Sequence, residues 1–163
     1  MDINQLLLAI IFTILPISEL RIGMPFAINY ALDNNLSIFA IIMIIILIIL
    51  INILVVFFIF WFLDTLHHGL LNIKSYKRFY KAYLRRIQKK VDKFEARYET
   101  YGMIALTLFV AVPLPGTGAW TGSLVAWLLE LERKESIIAI AIGVIIAGII
   151  ISLASLGIIT FFF

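Results

Sequence analysis

The chain has no cysteine, which excludes disulfides, thiolate metal sites and cysteine nucleophiles. It has two histidines, and without thiols beside them a zinc site is not expected. Charge is scarce as well: Asp, Glu, Lys and Arg make up 14% of the 163 residues. What charge there is gathers in one stretch, so most of the sequence has no polar face to turn to water. Hydrocarbon takes its place. The chain is 63% hydrophobic, against roughly 45–50% for an ordinary soluble domain, and its mean hydropathy is +1.10. The first residues, MDINQLLLAI, lack the basic region and small-residue cleavage site of a secretory signal, so no cleaved leader is expected. No nucleophile and base, and no pair of carboxylates, stand in an enzymatic arrangement. We therefore expect neither an enzyme nor a cofactor or metal centre, but a single all-α integral membrane domain over residues 1–163.

Two stretches read as continuous spans. Leu36 to Leu63 runs 28 residues without a charge, longer than the ~30 Å hydrocarbon core requires at ~1.5 Å per residue. Ile137 to Phe163 is a second uncharged run of 27 residues, with Ala139, Gly143 and Ala147 at the spacing that lets helices approach closely. The other two apolar stretches are interrupted. Residues 4–31 contain Pro16 and Pro25, and residues 103–129 contain Pro113, Pro115 and Gly116. Proline removes a backbone donor and clashes with the preceding turn, so neither stretch is one regular helix.

The order is thus broken segment, continuous helix, basic linker, broken segment, continuous helix. It reads as a duplication, with repeat 1 over 1–63, a linker over 64–102 and repeat 2 over 103–163. Pro16 lies 20 residues before its following helix and Pro113 lies 24 before its own, at corresponding depths. Two topologies fit. Each broken segment either crosses as a kinked span, or turns back as a re-entrant hairpin, and the second makes the two halves an inverted repeat. We favour the second, because two breaks meeting at the midplane would shelter each other's irregular backbone.

Lys74 to Arg97 carries ten lysines and arginines, which places residues 64–102 in the cytoplasm of a multi-pass cell-membrane protein by the positive-inside rule. Tyr76, Tyr80, Tyr83, Ile87, Val91, Phe94, Tyr98 and Tyr101 recur at helical spacing and give that linker an apolar stripe behind its basic face. It reads as an amphipathic helix lying on anionic membrane lipids. A dimeric contact, and hence a homo-oligomer, would leave a similar pattern. Nucleic acid is not an expected partner.

Glu19 and Arg21 stand inside an apolar stretch, where a charge needs a partner or a watery cavity. Their spacing of two turns them to different sides of a regular helix, so a direct pair would need irregular backbone. Arg21 is the candidate for a phosphate, which a guanidinium holds with two hydrogen bonds. Glu19 is the candidate carrier of a coupling proton. A structural ion pair between them is the alternative. In the second break, Pro113-Leu114-Pro115-Gly116-Thr117-Gly118-Ala119-Trp120-Thr121-Gly122 has no charge but offers hydroxyls and free N–H groups, with Gly116 and Gly118 shaped for an anion-binding turn at a helix start. Tight helix packing would use the same glycines, and Trp120 and Trp127 would equally serve as interface anchors. Asn52 is expected to hydrogen-bond another helix, and Glu130 to Glu135 read as a solvated turn.

The segments Ser18-Glu19-Leu20-Arg21-Ile22-Gly23-Met24-Pro25 and Pro113 to Gly122 resemble the putative small multidrug export protein family. The similarity runs over nearly the whole chain and includes the basic linker and the Ala/Gly-rich last helix. That family looks like a distant branch of the DedA-like (SNARE-associated) membrane superfamily, which implies two re-entrant hairpins in inverted repeat and movement of lipids, polyprenyl phosphates among them, with proton coupling in some members. Unlike that pattern, this chain has its acidic and basic residue together in the first half and an uncharged second loop. The resulting expectation is a transporter or flippase of an amphipathic substrate, a lipid-linked phosphate such as a polyprenyl phosphate or a phospholipid. Its substrate-binding residues would be Glu19, Arg21, Pro25, Pro113, Pro115, Gly116, Thr117, Gly118, Trp120 and Thr121. The alternatives are an exporter of small lipophilic cations, using Glu19 as counter-charge, and a membrane scaffold that transports nothing.

Overall fold

The computed structural model describes residues 3–70, 95–114 and 116–162, with side chains over 4–66, 101–114 and 116–157. Among these residues the chain is helical, without strands: α1 (Ile3–Ile14), α2 (Glu19–Asp33), α3 (Ile38–Leu70), α4 (Glu95–Ala111), α5 (Ala119–Leu128) and α6 (Arg133–Phe162). The basic linker, with its stripe from Tyr76 to Phe94, lies outside the described residues.

Two helices are long and apolar enough to cross a bilayer, over Ile38–Leu66 and Arg133–Gly157. Their apolar side chains face outward: Phe39, Leu54, Ile138 and Leu153 are 59–70% exposed. The core helix of a soluble protein would bury them, so the solvent of these helices is lipid. This is a membrane protein. Both helices extend beyond the uncharged runs, α3 past Asp64 to Leu70 and α6 back to Arg133. A charge marks where water begins, but a helix continues across that boundary because its hydrogen bonds are its own.

The long helices run antiparallel. At one end Arg133 bonds Asp64 at 2.6 Å, and further along Gly148 lies against Ile49. Ile49 stands 15 residues before Asp64 (64 − 49) and Gly148 stands 15 after Arg133 (148 − 133). Equal steps in opposite directions fix the orientation. Glycine is required where α4 and α6 approach, since a Cβ on Gly143 would meet Val110 and the Thr107 carbonyl, while one on Gly148 would press on the end of the Ile49 side chain. Thr107 Oγ1 donates to the Ala139 carbonyl at 3.1 Å, seating α4 on the small-residue stripe expected of α6.

All four prolines fall in the two interrupted stretches. In the first, α1 and α2 are joined by four residues and fold back on each other, with Gly23 against Thr13 and the Ala9 carbonyl, and Phe12 edge-on to Phe26 at 5.2 Å between ring centres. At ~18 and ~22 Å these helices are each shorter than the hydrocarbon core. The turn lies deep: Asn52, midway along the apolar span of α3, donates to the Thr13 carbonyl at 3.1 Å. In the second stretch α4 leads to the loop at 112–118, and α5 then carries Trp127 to Asp64, at the end of α3. Packing crosses between the halves, since α2 lies on α6 and α5 lies on α3.

Candidate functional site

The two breaks meet, and each supplies what the other lacks. A helix C-terminus leaves carbonyls unpaired and a helix N-terminus leaves N–H groups unpaired, four of each. The last carbonyls of α1 are taken by three different elements. Ser18 Oγ, in the turn itself, donates to the Phe12 carbonyl at 2.6 Å. Asn52 of α3 serves Thr13, and Trp120 Nε1 of α5 donates to Ile14 at 3.0 Å. The Trp120 indole N–H is thus used within the protein, tying α5 to the end of α1. Trp127 donates to Asp64 at 3.0 Å beside Arg133, whose guanidinium also lies 5.3 Å from the centre of the Phe60 ring. Arg133 thus ties α6 to α3, a task not visible in a reading of Glu130–Glu135 as a solvated turn.

The start of α5 is held from the opposite half. Its cap position is Gly118, which has no side chain to offer. The carboxylate of Glu19 takes that place: Oε2 accepts from the Ala119 N–H and Oε1 from the Trp120 N–H, both at 3.0 Å. Negative charge at a helix N-terminus is favourable, and here the anion belongs to the protein. The turn shaped by Gly116 (φ 87°) and Gly118 (φ 146°) thus leads into a helix end already filled by Glu19. Gly118 must be glycine for a second reason, since a Cβ there would run into the Glu19 carboxylate. Glu19 itself adopts a positive φ of 44°, a strained conformation that turns its side chain across the gap.

Arg21 reaches the same loop. Its guanidinium donates to the Thr117 carbonyl and, at 3.1 Å, to Thr117 Oγ1. That hydroxyl also accepts from the Leu114 N–H at 3.2 Å and lies 2.6 Å from the Val112 carbonyl. Thr117 thereby organises a loop that has no helix to satisfy it. Among the described residues no ion pair joins Glu19 to Arg21, which each bind the second break instead.

Beside these contacts is a cavity of ≈ 230 Å³ lined by Pro16, Ile17, Glu19, Arg21, Gly116, Thr117 and Thr121. Arg21 is half-buried on its wall, and Ile17, 90% exposed, forms an apolar lip. A second cavity of only ≈ 10 Å³ lies behind the same residues, where Glu19, Arg21, Thr117 and Gly118 meet Asn52 and Pro113. Of the expected site residues, Glu19, Arg21, Pro113, Gly116, Thr117, Gly118, Trp120 and Thr121 come together here. Pro25 is inside α2 and lines neither cavity, and Pro115 lies outside the described residues. Sequence reading missed Pro16, Ile17 and Asn52 as lining residues, although the first two belong to the break that it did find.

The model of the family described as "Putative small multi-drug export protein" matches residues 19–150, from Glu19 at the first break into the last helix. The chain belongs to this family. The match begins just after the first turn and takes in α2, the whole of α3 and the second break. No curated protein and no solved structure matches the chain.

Proposed function

We propose that this member of the small multi-drug export family is a transporter of amphipathic substrates with an anionic head, of the lipid-linked phosphate class. The site would lie where two re-entrant hairpins of an inverted repeat meet. The antiparallel long helices, the exchange of packing between halves and the depth of the first turn beside Asn52 support that architecture. The Ser18–Pro25 and Pro113–Gly122 segments resemble the small multidrug export family, and a distant kinship of that family with the DedA-like superfamily would point the same way. With the linker cytoplasmic, α1 and α2 enter from outside and α4 and α5 from inside.

One observation carries the choice of charge. Both oxygens of Glu19 are engaged by backbone N–H groups, whereas the hydrogen bonds of Arg21 all leave from one terminal nitrogen, so its other N–H groups are the charged donors available to an anion in the larger cavity that Arg21 lines. An anionic head docks there with its tail leaving over Ile17 into lipid. A second reading, export of lipophilic cations, is favoured by the family's description and by Glu19 on the same wall. Glu19 would be the residue that takes a coupling proton in either case.

Vesicles containing the purified protein test this. On the anion reading, Arg21→Lys lowers movement of a fluorescent phosphate-headed lipid about tenfold, the worth of one charge-assisted bond of ~1.4 kcal/mol, and leaves the protein folded. Arg21→Ala lowers it further. Unchanged lipid movement, with loss of efflux of a lipophilic cation in Glu19→Gln, would transfer the site to the second reading.

A further inference from the structure

Asn52 is fully buried in the middle of α3, and its amide is half used. Nδ2 donates to the Thr13 carbonyl at 3.1 Å, and this bond fixes which way the amide faces, because the reversed amide would set two acceptors against each other. Oδ1 is then left without a donor from any described residue. A buried acceptor at this depth keeps its full desolvation cost unless something donates to it. Asn52 lines the small inner cavity, whose ≈ 10 Å³ matches the space that one water centre occupies. The polar groups on the same lining are the Glu19 carboxylate, the Arg21 guanidinium and Thr117.

We infer that this inner cavity is a binding site for one ordered water molecule, which donates to Asn52 Oδ1 and completes its bonds with the charged residues opposite. The chemistry selects water over an ion. Asn52 Oδ1 and Glu19 are acceptors and need donated protons, which a metal cation would replace only by sitting beside the Arg21 guanidinium, of like charge. An anion would face Glu19 and an unpaired carbonyl oxygen. Water donates twice and accepts once, as this lining requires. Glu19, Arg21 and Thr117 line both cavities, so they form the partition between the larger cavity and the water. Asn52 is by this account a positioning residue that reaches the partition through the water. The inference stands whichever substrate the larger cavity takes.

Hydroxyl-radical labelling by X-ray pulses, read by mass spectrometry on the intact protein in nanodiscs, tests it, because radicals form at bound water and oxidise the side chains beside it. Leu20 and Val144 line the inner cavity and are 4% and 1% exposed. Ile28 and Val56 are equally buried but line neither cavity. Oxidation of Leu20 and Val144 above the level of Ile28 and Val56 is expected, and oxidation at the control level overturns the site in the parent protein with no variant needed. Asn52→Leu, which keeps the branching at Cγ but replaces the amide by two bulkier methyl groups, should bring Leu20 and Val144 down to the controls; persistence of the signal would show that Asn52 does not hold the water. Replacing sodium by choline should change nothing. Labelling that rises when sodium is withdrawn would mean that an ion occupies the site, and the inference would be wrong.

Discussion

The first break presents acceptors and the second presents donors. At 15–18 the chain turns tightly, α1 and α2 lie against each other, and what is left over is a set of carbonyls at the end of α1. At 112–118 the loop is longer, α4 packs chiefly on α6, and what is left over is the N–H end of α5. Each remainder is met from the other side, by Trp120 on Ile14 and by Glu19 on Ala119 and Trp120. Neither break could lie at membrane depth alone, since an unpaired backbone group in hydrocarbon costs several kcal/mol. The dependence is unequal. The first break also draws on its own Ser18 and on Asn52, while the second takes its helix cap entirely from Glu19.

Disturbing the glycines should show this inequality most strongly. Gly118→Ala puts a Cβ into the Glu19 carboxylate and forces a residue into φ 146°, and should destabilise the protein by about 3 kcal/mol in thermal unfolding in detergent. Gly116→Ala meets nothing, so only the strain of its φ of 87° applies, about 1 kcal/mol. Equal losses in the two variants would mean that the Glu19 contact contributes nothing. Gly23→Ala, which presses on Thr13 and the Ala9 carbonyl, should cost about 2 kcal/mol and loosen the first turn.

Charge comes next. Glu19→Gln keeps one acceptor oxygen for the start of α5 but loses the charge that favours a helix N-terminus, and about 1 kcal/mol of stability should go with it. The chain has no cysteine, so a single cysteine at Leu114 reports the second loop without background. Its reaction with a maleimide should quicken in Glu19→Gln, while a cysteine at Ile17 keeps its parental rate. If both quicken alike, the two breaks open as one and the inequality fails.

Much of this was readable in the sequence because it is local. The two spans follow from uncharged runs, the breaks from prolines, and the close packing of α6 on another helix, which the structure shows to be α4, from the spacing of Ala139 and Gly143. Asn52 announced a partner helix by being polar in mid-span. What could not be read is pairing across 69 to 100 residues: Glu19 to Ala119, Arg21 to Thr117, Asp64 to Arg133. No periodicity encodes such partners. A spacing of two suggested that Glu19 and Arg21 face different sides of a regular helix, whereas both reach the same second break. The helix ends were misplaced at Asp64 and Arg133 for a different reason, since hydropathy locates water and not the end of hydrogen bonding.

The smallest effect bears on the weakest strand of the comparison, the single bond that the second break returns to the first. Trp120→Phe keeps most of the aromatic surface and removes only the Nε1–H that serves the Ile14 carbonyl. The net worth of such a bond is about 1 kcal/mol, less where water reaches the acceptor, and Trp120 is only half-buried. The α1 end has Ser18 and Asn52 on the two preceding carbonyls, so it should hold. Stability should therefore fall by no more than about 1 kcal/mol, with the cysteine at Ile17 reacting faster and the one at Leu114 unchanged, the mirror image of Glu19→Gln. Combining the two variants then separates mutual from independent support. If the breaks brace each other, removing these two of the three links, with Arg21 on Thr117 left in place, costs less than the sum of the single losses, because the first removal already loosens the contact and leaves the second bond less to hold. Strict additivity would mean that each bond merely satisfies its own backbone group, and that the breaks lie side by side without bracing each other.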